Sequence, residues 1–202
     1  MKPRLLDLFC GAGGAAMGYS RAGFEVVGVD IKPQSHYPFE FIEDDAVDHF
    51  GELLEYANFD AIHASPPCQA YSQATAWRGA RENHPRLIAT VAAKLRGGTL
   101  PYVIENVAGA RAELERPILL CGTMFGLPIT SHRFFEVPWM PLTLLPRCKH
   151  TGDEASRDHG SKQPESAFRD AMECDWMAVR EAREAIPPAY TEWIGKQLIA
   201  TL

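Results

Sequence analysis

Residues 5–14 read Leu-Leu-Asp-Leu-Phe-Cys-Gly-Ala-Gly-Gly, an apolar run that breaks into three glycines. A short apolar stretch bounded by glycine reads as a buried strand, over Leu5–Phe9. The glycines let the backbone turn tightly and approach a ligand closely. Ala15–Ala22 follows with helical spacing and stops at Gly23. The N-terminus of that helix offers free N–H groups to a carboxylate or phosphate. The loop lacks the complete G-x-G-x-x-G pattern, which argues against a cofactor carrying a pyrophosphate.

Outward from this loop, strand-like runs at Glu25–Ile31, Phe39–Ile42, Phe59–Ala64 and Tyr102–Ile104 alternate with helical patterns at Val47–Tyr56 and His84–Leu95. This alternation predicts an α/β fold: a doubly wound, mostly parallel sheet with helices on both faces. Ligands of such sheets gather outside the carboxyl ends of the strands. Asp30 stands after the second strand and can accept from both ribose hydroxyls. Asp44 and Asp45 follow the third, and one of them can accept from an adenine amino group. With the glycine loop, these positions suit a nucleoside with a charged tail, such as S-adenosylmethionine.

The fourth strand ends in Ser65-Pro66-Pro67-Cys68-Gln69. Two prolines hold Cys68 rigidly, and a nearby base or helix N-terminus would lower its pKa and make it a nucleophile. Glu105-Asn106 follows the fifth strand, and desolvation there should raise the Glu105 pKa so that it donates a hydrogen bond. Gln69–Pro85 is polar and contains Ser72, Arg78 and Arg81. It is expected to be a mobile loop that closes over substrate and meets phosphates.

Beyond Val107 the pattern weakens. Phe134–Val137 reads as a strand, Pro138–Pro164 as loop or a minimal second lobe, and Ala167–Ala185 as a charged helix. Ile186–Leu202 closes the chain, with a helix start at Pro188. The expected division is residues 1–140 as the main domain, 141–181 as a small lobe and 182–202 as a returning C-terminal helix.

With 202 residues, 46% of them hydrophobic and 23% charged, the composition is that of one globular domain with at most a small appendage, and excludes disorder and coiled coil. No apolar run approaches the roughly 20 residues of a membrane helix, and the N-terminus shows no signal-peptide pattern. The net charge of −6 is unevenly spread. Glu40–Asp60 holds eight acids and no Lys or Arg, whereas Arg78–Arg116 holds seven bases against four acids. Such a dipolar chain can hold a polyanion on one face. Five scattered cysteines suggest a reducing compartment rather than a disulfide framework. Cys148, His150, His159 and Cys174 are metal-type residues without a tight ligand spacing, so no metal site is assigned. Cys10 and Cys121 read as small packed residues.

DLFCGAGG, VVGVD, ASPPCQAYS and VIENV, in this order and spacing, resemble the cytosine-C5 DNA methyltransferases. The likeness is strong over about residues 5–137 and resumes at Ala185–Leu198, which is similar to the family's C-terminal motif. The short length and the stretch Ser131–Glu136 resemble small bacteriophage members. The resemblance implies a class I, Rossmann-like, S-adenosylmethionine-dependent enzyme acting on double-stranded DNA in a bacterial cytoplasm, with no obligate protein partner. It implies that Phe9, Gly11, Gly13, Gly14, Asp30, Ile31, Asp45 and Pro67 hold the cofactor. It further implies that Cys68 is the nucleophile, Glu105 contacts the base and Asn106 supports the cysteine loop; Gln69, Ser72, Arg78 and Arg81, in the expected mobile loop, are expected to meet the substrate. The family's Gln-x-Arg-x-Arg motif aligns with Ser131–Phe135, leaving Arg133 alone, to contact the base or to brace the Cys68 loop. A recognition domain that usually exceeds 100 residues has only about 40 here, a very small target-recognition lobe.

Overall fold

A computed structural model describes residues 1–71, 84–139, 145–156 and 165–202. Five strands run parallel: β1 Arg4–Leu8, β2 Glu25–Asp30, β3 Glu40–Glu43, β4 Ala61–Ala64 and β5 Tyr102–Asn106. Two more, β6 Ile118–Leu120 and β8 Arg133–Glu136, extend the sheet in the order β3-β2-β1-β4-β5-β8-β6. β8 runs antiparallel to both of its neighbours. Its first residue, Arg133, therefore lies at the edge where the parallel strands end. β6 reverses again and also ends there, at Leu120. A separate pair joins β7 Ile129–Thr130 to β9 Ala155–Ser156.

Helices cover both faces, as the alternation predicts. The central strands β1, β2, β4 and β5 are buried on both sides, which is why they are mostly apolar. Leu6, Leu8, Val27, Val29, Ile62 and Ile104 pack beneath α2 Phe50–Tyr56 and α3 Ile88–Arg96. Leu5, Val26, Ala61, Val103 and Phe135 pack beneath α1 Gly14–Ala22 and the last helix, Pro188–Ile199. Between these two helices Gly18 permits close approach, since a Cβ there would meet the Pro188 carbonyl and Thr191 Oγ1. Thr191 Oγ1 also donates to the Ala15 carbonyl at 2.9 Å. The C-terminal segment thus returns to the first helix, on the sheet face that holds Leu5.

Some expected elements differ. The helix expected over Val47–Tyr56 starts at Phe50, because Asp45 Oδ1 first closes a turn by accepting from the N–H groups of Val47 and Asp48. The one expected over His84–Leu95 starts at Ile88, consistent with Pro85 keeping His84 out of helical geometry. The single helix over Ala167–Ala185 is two, α4 Glu165–Met172 and α5 Val179–Glu184. Glu173 breaks it at φ 56°, and Arg169 Nη1 holds the turn by donating to the Met177 carbonyl at 3.1 Å. The last helix, α6, starts at Pro188 as expected. β6, β7 and β9 are too short to show a period in the sequence. Among the described residues no helix is long and apolar enough to cross a membrane.

Candidate active site

At the end of β1, Phe9 adopts φ 59°, a conformation uncommon outside glycine that a site can hold as local strain. Gly11 follows at φ 49°, and the position its Cβ would take is open space. Its N–H donates to Asp30 Oδ2 at 3.1 Å, and the Lys32 N–H donates to Asp30 Oδ1 at 3.1 Å. Each carboxylate oxygen keeps a further acceptor position for a hydroxyl. Ile31, next to Asp30, exposes 63% of its surface, an apolar face suited to a flat ring. The Asp44 N–H donates to the Asp30 carbonyl at 3.1 Å, which brings the end of β3 alongside. Helix α1, with Gly13 as its N-cap, has no side-chain cap and no acid in its first turn, leaving its N–H groups for an external carboxylate. These features fit a nucleoside with a charged tail. Trp176 Nε1 donates to the Ala12 carbonyl at 3.0 Å, so the residues before α5 reach the same loop.

At the end of β4, Cys68 is partly buried beside Pro67. The Asn106 side chain holds this loop: Nδ2 donates to the Pro66 carbonyl at 2.8 Å, and Oδ1 accepts from the Val107 N–H at 3.0 Å. Cys68 does not show the lowered pKa expected from the sequence. Burial pushes the thiol up, the Glu105 carboxyl pushes it further, and Arg133 offsets only part of this. Gln69 Oε1 is buried without a hydrogen-bond partner among the described residues.

Glu105, 5% exposed, shares its sheet face with Asp7 and His63. Burial raises its pKa, as expected, against the lowering influence of Arg133 and a hydrogen bond from Ser65. Arg133 Nε lies 3.0 Å from Glu105 Oε1. The pair is misaligned, because Oε1 has no hydrogen-bond partner among the described residues. Arg133 Nη1 donates to the His132 carbonyl at 2.8 Å. Behind Ser65 a buried chain continues: His63 Nε2 stands 2.8 Å from Ser65 Oγ, and Tyr19 OH 3.0 Å from His63 Nδ1. Burial lowers the His63 pKa to about 3, so the imidazole is neutral. One direction satisfies every member: Tyr19 donates to His63 Nδ1, His63 Nε2–H to Ser65, and Ser65 to Glu105. Asp7 is fully buried, and neither of its carboxylate oxygens has a partner among the described residues.

The structure therefore brings Phe9, Gly11, Gly13, Gly14, Asp30, Ile31 and Asp45 to one end of the sheet, with Pro67, Cys68, Gln69, Glu105, Asn106 and Arg133 beside them. Ser72, Arg78 and Arg81 lie outside the described residues. Of the basic residues that suggested a polyanion surface, Arg96 pairs with Glu136 and Glu115, and Arg86 and Arg111 sit over the rings of Tyr71 and Phe134. Sequence reasoning missed His63, which reads as an ordinary strand residue, and gave Ser65 no role in the loop that carries Cys68. It also missed that Cys121 and His132 meet Cys148 and His150. Cys174 is instead buried with Phe168 and Met177, and His159 lies outside the described residues.

The model of the family C-5 cytosine-specific DNA methylase matches residues 3–119. The type II methyltransferase M.FnuDI of Fusobacterium nucleatum is 34% identical over 90 residues, 41% of this chain and 25% of that protein. The type II methyltransferase M.AplI of Arthrospira platensis is 26% identical over 187 residues, 79% of this chain and 54% of that protein. The chain thus spans from a quarter to about half the length of these curated relatives. The structure of the Entamoeba histolytica methyltransferase EhMeth superposes with a TM-score of 0.66 over 100% of this chain and 99% of that one, at 12% identity, a likeness of fold.

Proposed function

The chain belongs to the C-5 cytosine-specific DNA methylase family, and from that premise we propose that it transfers a methyl group from S-adenosylmethionine to C5 of a cytosine in double-stranded DNA. The observation that carries this reading is the placement of Cys68, in a loop tied by Asn106, beside the buried Glu105–Arg133 pair at the edge that also bears the glycine loop and Asp30.

S-adenosylmethionine, when bound, supplies an electrophilic methyl group. Asp30 would accept from the ribose hydroxyls, Ile31 would pack on the adenine, and Asp45 would take the adenine amino group with Oδ2. Phe9, Pro67 and the backbone of Gly11, Gly13 and Gly14 would enclose the rest.

C5 of cytosine is a weak nucleophile until the ring loses its aromaticity. The Cys68 thiol gives its proton to water, and the sulfur adds to C6. The electron pair of the C5–C6 double bond shifts toward N3, and Glu105 donates a proton there. C5 then carries enamine character and takes the methyl group, leaving S-adenosylhomocysteine. Water takes the C5 proton, the sulfur–C6 bond breaks to release the Cys68 thiolate, and N3 returns its proton to Glu105, which restores the ring. The elevated proton affinity of Glu105 suits its role as donor, whereas that of Cys68 must be overcome before the sulfur attacks. Two adjacent negative charges are disfavoured, so Arg133 balances one charge at a time, on the carboxyl or on the thiolate.

Attack on C6 comes from above the ring plane, which a stacked base blocks. The cytosine must leave the helix at a cost of a few kcal/mol. Gln69 and the segment with Ser72, Arg78 and Arg81 are assigned to hold the displaced base and the neighbouring phosphates. Residues 141–181 are assigned as the target-recognition lobe, beside a catalytic domain of residues 1–140 and a returning segment of residues 182–202. The test is incubation with unmethylated plasmid and S-adenosylmethionine followed by bisulfite sequencing, with tRNA and dCMP as parallel substrates. Protected cytosines at a recurring DNA sequence are expected. Label entering only tRNA or dCMP would overturn the DNA assignment.

A further inference from the structure

We propose that Cys121, His132, Cys148 and His150 bind one zinc ion as a closed structural site that fastens the small lobe to the catalytic edge of the sheet. One ligand atom from each residue lies within 4.8 Å of those of the other three. Cys121 Sγ stands 3.4 Å from His150 Nε2, and Cys148 Sγ stands 3.8 Å from His132 Nε2. Tetrahedral zinc with Zn–S near 2.3 Å and Zn–N near 2.0–2.1 Å requires sulfur–nitrogen separations of about 3.5 Å. The two observed separations bracket that value, so side-chain shifts of a few tenths of an ångström would close those edges of a tetrahedron.

The donor set selects the metal. Two thiolates and two imidazoles in tetrahedral array favour zinc over magnesium, calcium or manganese, which take oxygen ligands. Four protein ligands leave no open position, which marks a structural ion rather than one that activates water. The two cysteine protons leave on binding, and two thiolates then neutralise the dication, so a partly buried site carries no net charge. Thr123 supplies a supporting contact: its Oγ1 lies 3.5 Å from Cys121 Sγ and accepts from the Lys149 N–H at 3.3 Å. It thus links the turn after β6 to the backbone between Cys148 and His150.

The ligands come from two parts of the chain. Cys121 directly follows β6 and His132 directly precedes β8, both at the edge where β5 ends. Cys148 and His150 belong to residues 145–156, whose far end is β9, paired to β7. The buried cluster of the lobe is small, formed by Ala155, Phe168, Ala171, Met172, Cys174 and Met177 against Ala12 and Ile129, and a metal staple is a common remedy for so small a core. The next residue after His132 is Arg133, whose Nη1 holds the His132 carbonyl and whose Nε faces Glu105. The ion would fix the anchor of that arginine without touching substrate.

The inference does not depend on the proposed activity, because the readout is metal content. The full chain, freed of any affinity tag and kept reduced, is equilibrated with zinc, dialysed and analysed by inductively coupled plasma mass spectrometry. About one zinc per chain is expected, falling at least about tenfold in Cys148→Ser and in His150→Ala. His150 is exposed, so its variant keeps the measurement decisive if replacement of a cysteine prevents folding. Cys174→Ala should retain the zinc. Cobalt(II) in place of zinc should give thiolate charge-transfer and tetrahedral ligand-field bands that His150→Ala weakens. A wild-type chain holding less than about a tenth of an equivalent would mean a cluster held by hydrogen bonds alone and would refute the site. So would unchanged zinc in both ligand variants.

Discussion

Burial and the Glu105 carboxyl both oppose ionisation of Cys68, and Arg133 recovers only part of the loss. The free protein should therefore hold this thiol protonated at neutral pH. Iodoacetamide labelling of Cys68, followed by peptide mass spectrometry, should be slow at pH 7 and rise about tenfold per pH unit until the thiol is ionised. Its midpoint should lie above that of an ordinary cysteine, and one below it would contradict the electrostatics of the pocket. Asp7 yields a second expectation. Burial, with Asp30 adding repulsion, raises its folded pKa well above the usual carboxyl range. The folded chain then binds a proton that the unfolded chain has released. Its stabilising contribution is complete below the unfolded carboxyl's pKa and is lost as pH rises toward the folded one. Thermal melts of the wild type should decline above about pH 4, by up to about 1.4 kcal/mol per pH unit in that window. Asp7→Asn should flatten the decline, and an unchanged slope would show that another group is responsible. The positions of Cys68, Glu105 and Asp30 were legible in the sequence because a strand end is marked by its own residues. The shift on Cys68 and the isolation of Asp7 were not, since both depend on what neighbouring strands and helices place around them.

Between elements, α1 packs closely on α6 at Gly18, where a methyl group would strike the Pro188 carbonyl, a backbone atom that cannot rotate away. Gly18→Ala should destabilise the chain by about 1–3 kcal/mol. Gly51 in α2 faces open space, so Gly51→Ala should stabilise by up to about 1 kcal/mol. Urea titration of both variants checks the contrast, and equal shifts would contradict the docking of α6 on α1. The five parallel strands and their flanking helices were legible because each is long enough to show an apolar run or a helical stripe. β6, with three residues, was not, and neither was the break between α4 and α5. A charged helical pattern continues through Glu173, and only the Arg169 contact to the Met177 carbonyl and the burial of Cys174 show why the chain turns there. The cluster at Cys121 escaped the sequence for a related reason. Its ligands are separated by 11, 16 and 2 residues, and only β6 and β8 pairing at one edge brings the first two near each other.

Across the described residues, sequence charge overstated the basic surface free to meet a polyanion. Arg96 is bound into the structure: its Nε and Nη2 donate to Glu136, which is 1% exposed and also accepts from Tyr102 OH and the Glu115 N–H. Replacing Arg96 with Ala should cost about 3 kcal/mol of stability, since it strands a buried carboxylate. If Arg78 and Arg81 meet phosphates as assigned, Arg78→Ala with Arg81→Ala should instead leave stability near wild type and lower the salt slope of duplex binding by about two. Fluorescence anisotropy over a salt series, beside thermal melts, separates the two kinds of arginine. The reverse pattern would move the DNA surface elsewhere. The central claim is that Cys68 forms a bond to the substrate base, and duplex DNA carrying 5-fluorocytosine tests it directly, because fluorine at C5 cannot leave as a proton does. With S-adenosylmethionine present, mass spectrometry should find the wild-type chain joined to the DNA at Cys68, and Cys68→Ser should form no adduct and transfer no methyl group. Methyl transfer that survives in Cys68→Ser, or an adduct at any other residue, would contradict the account.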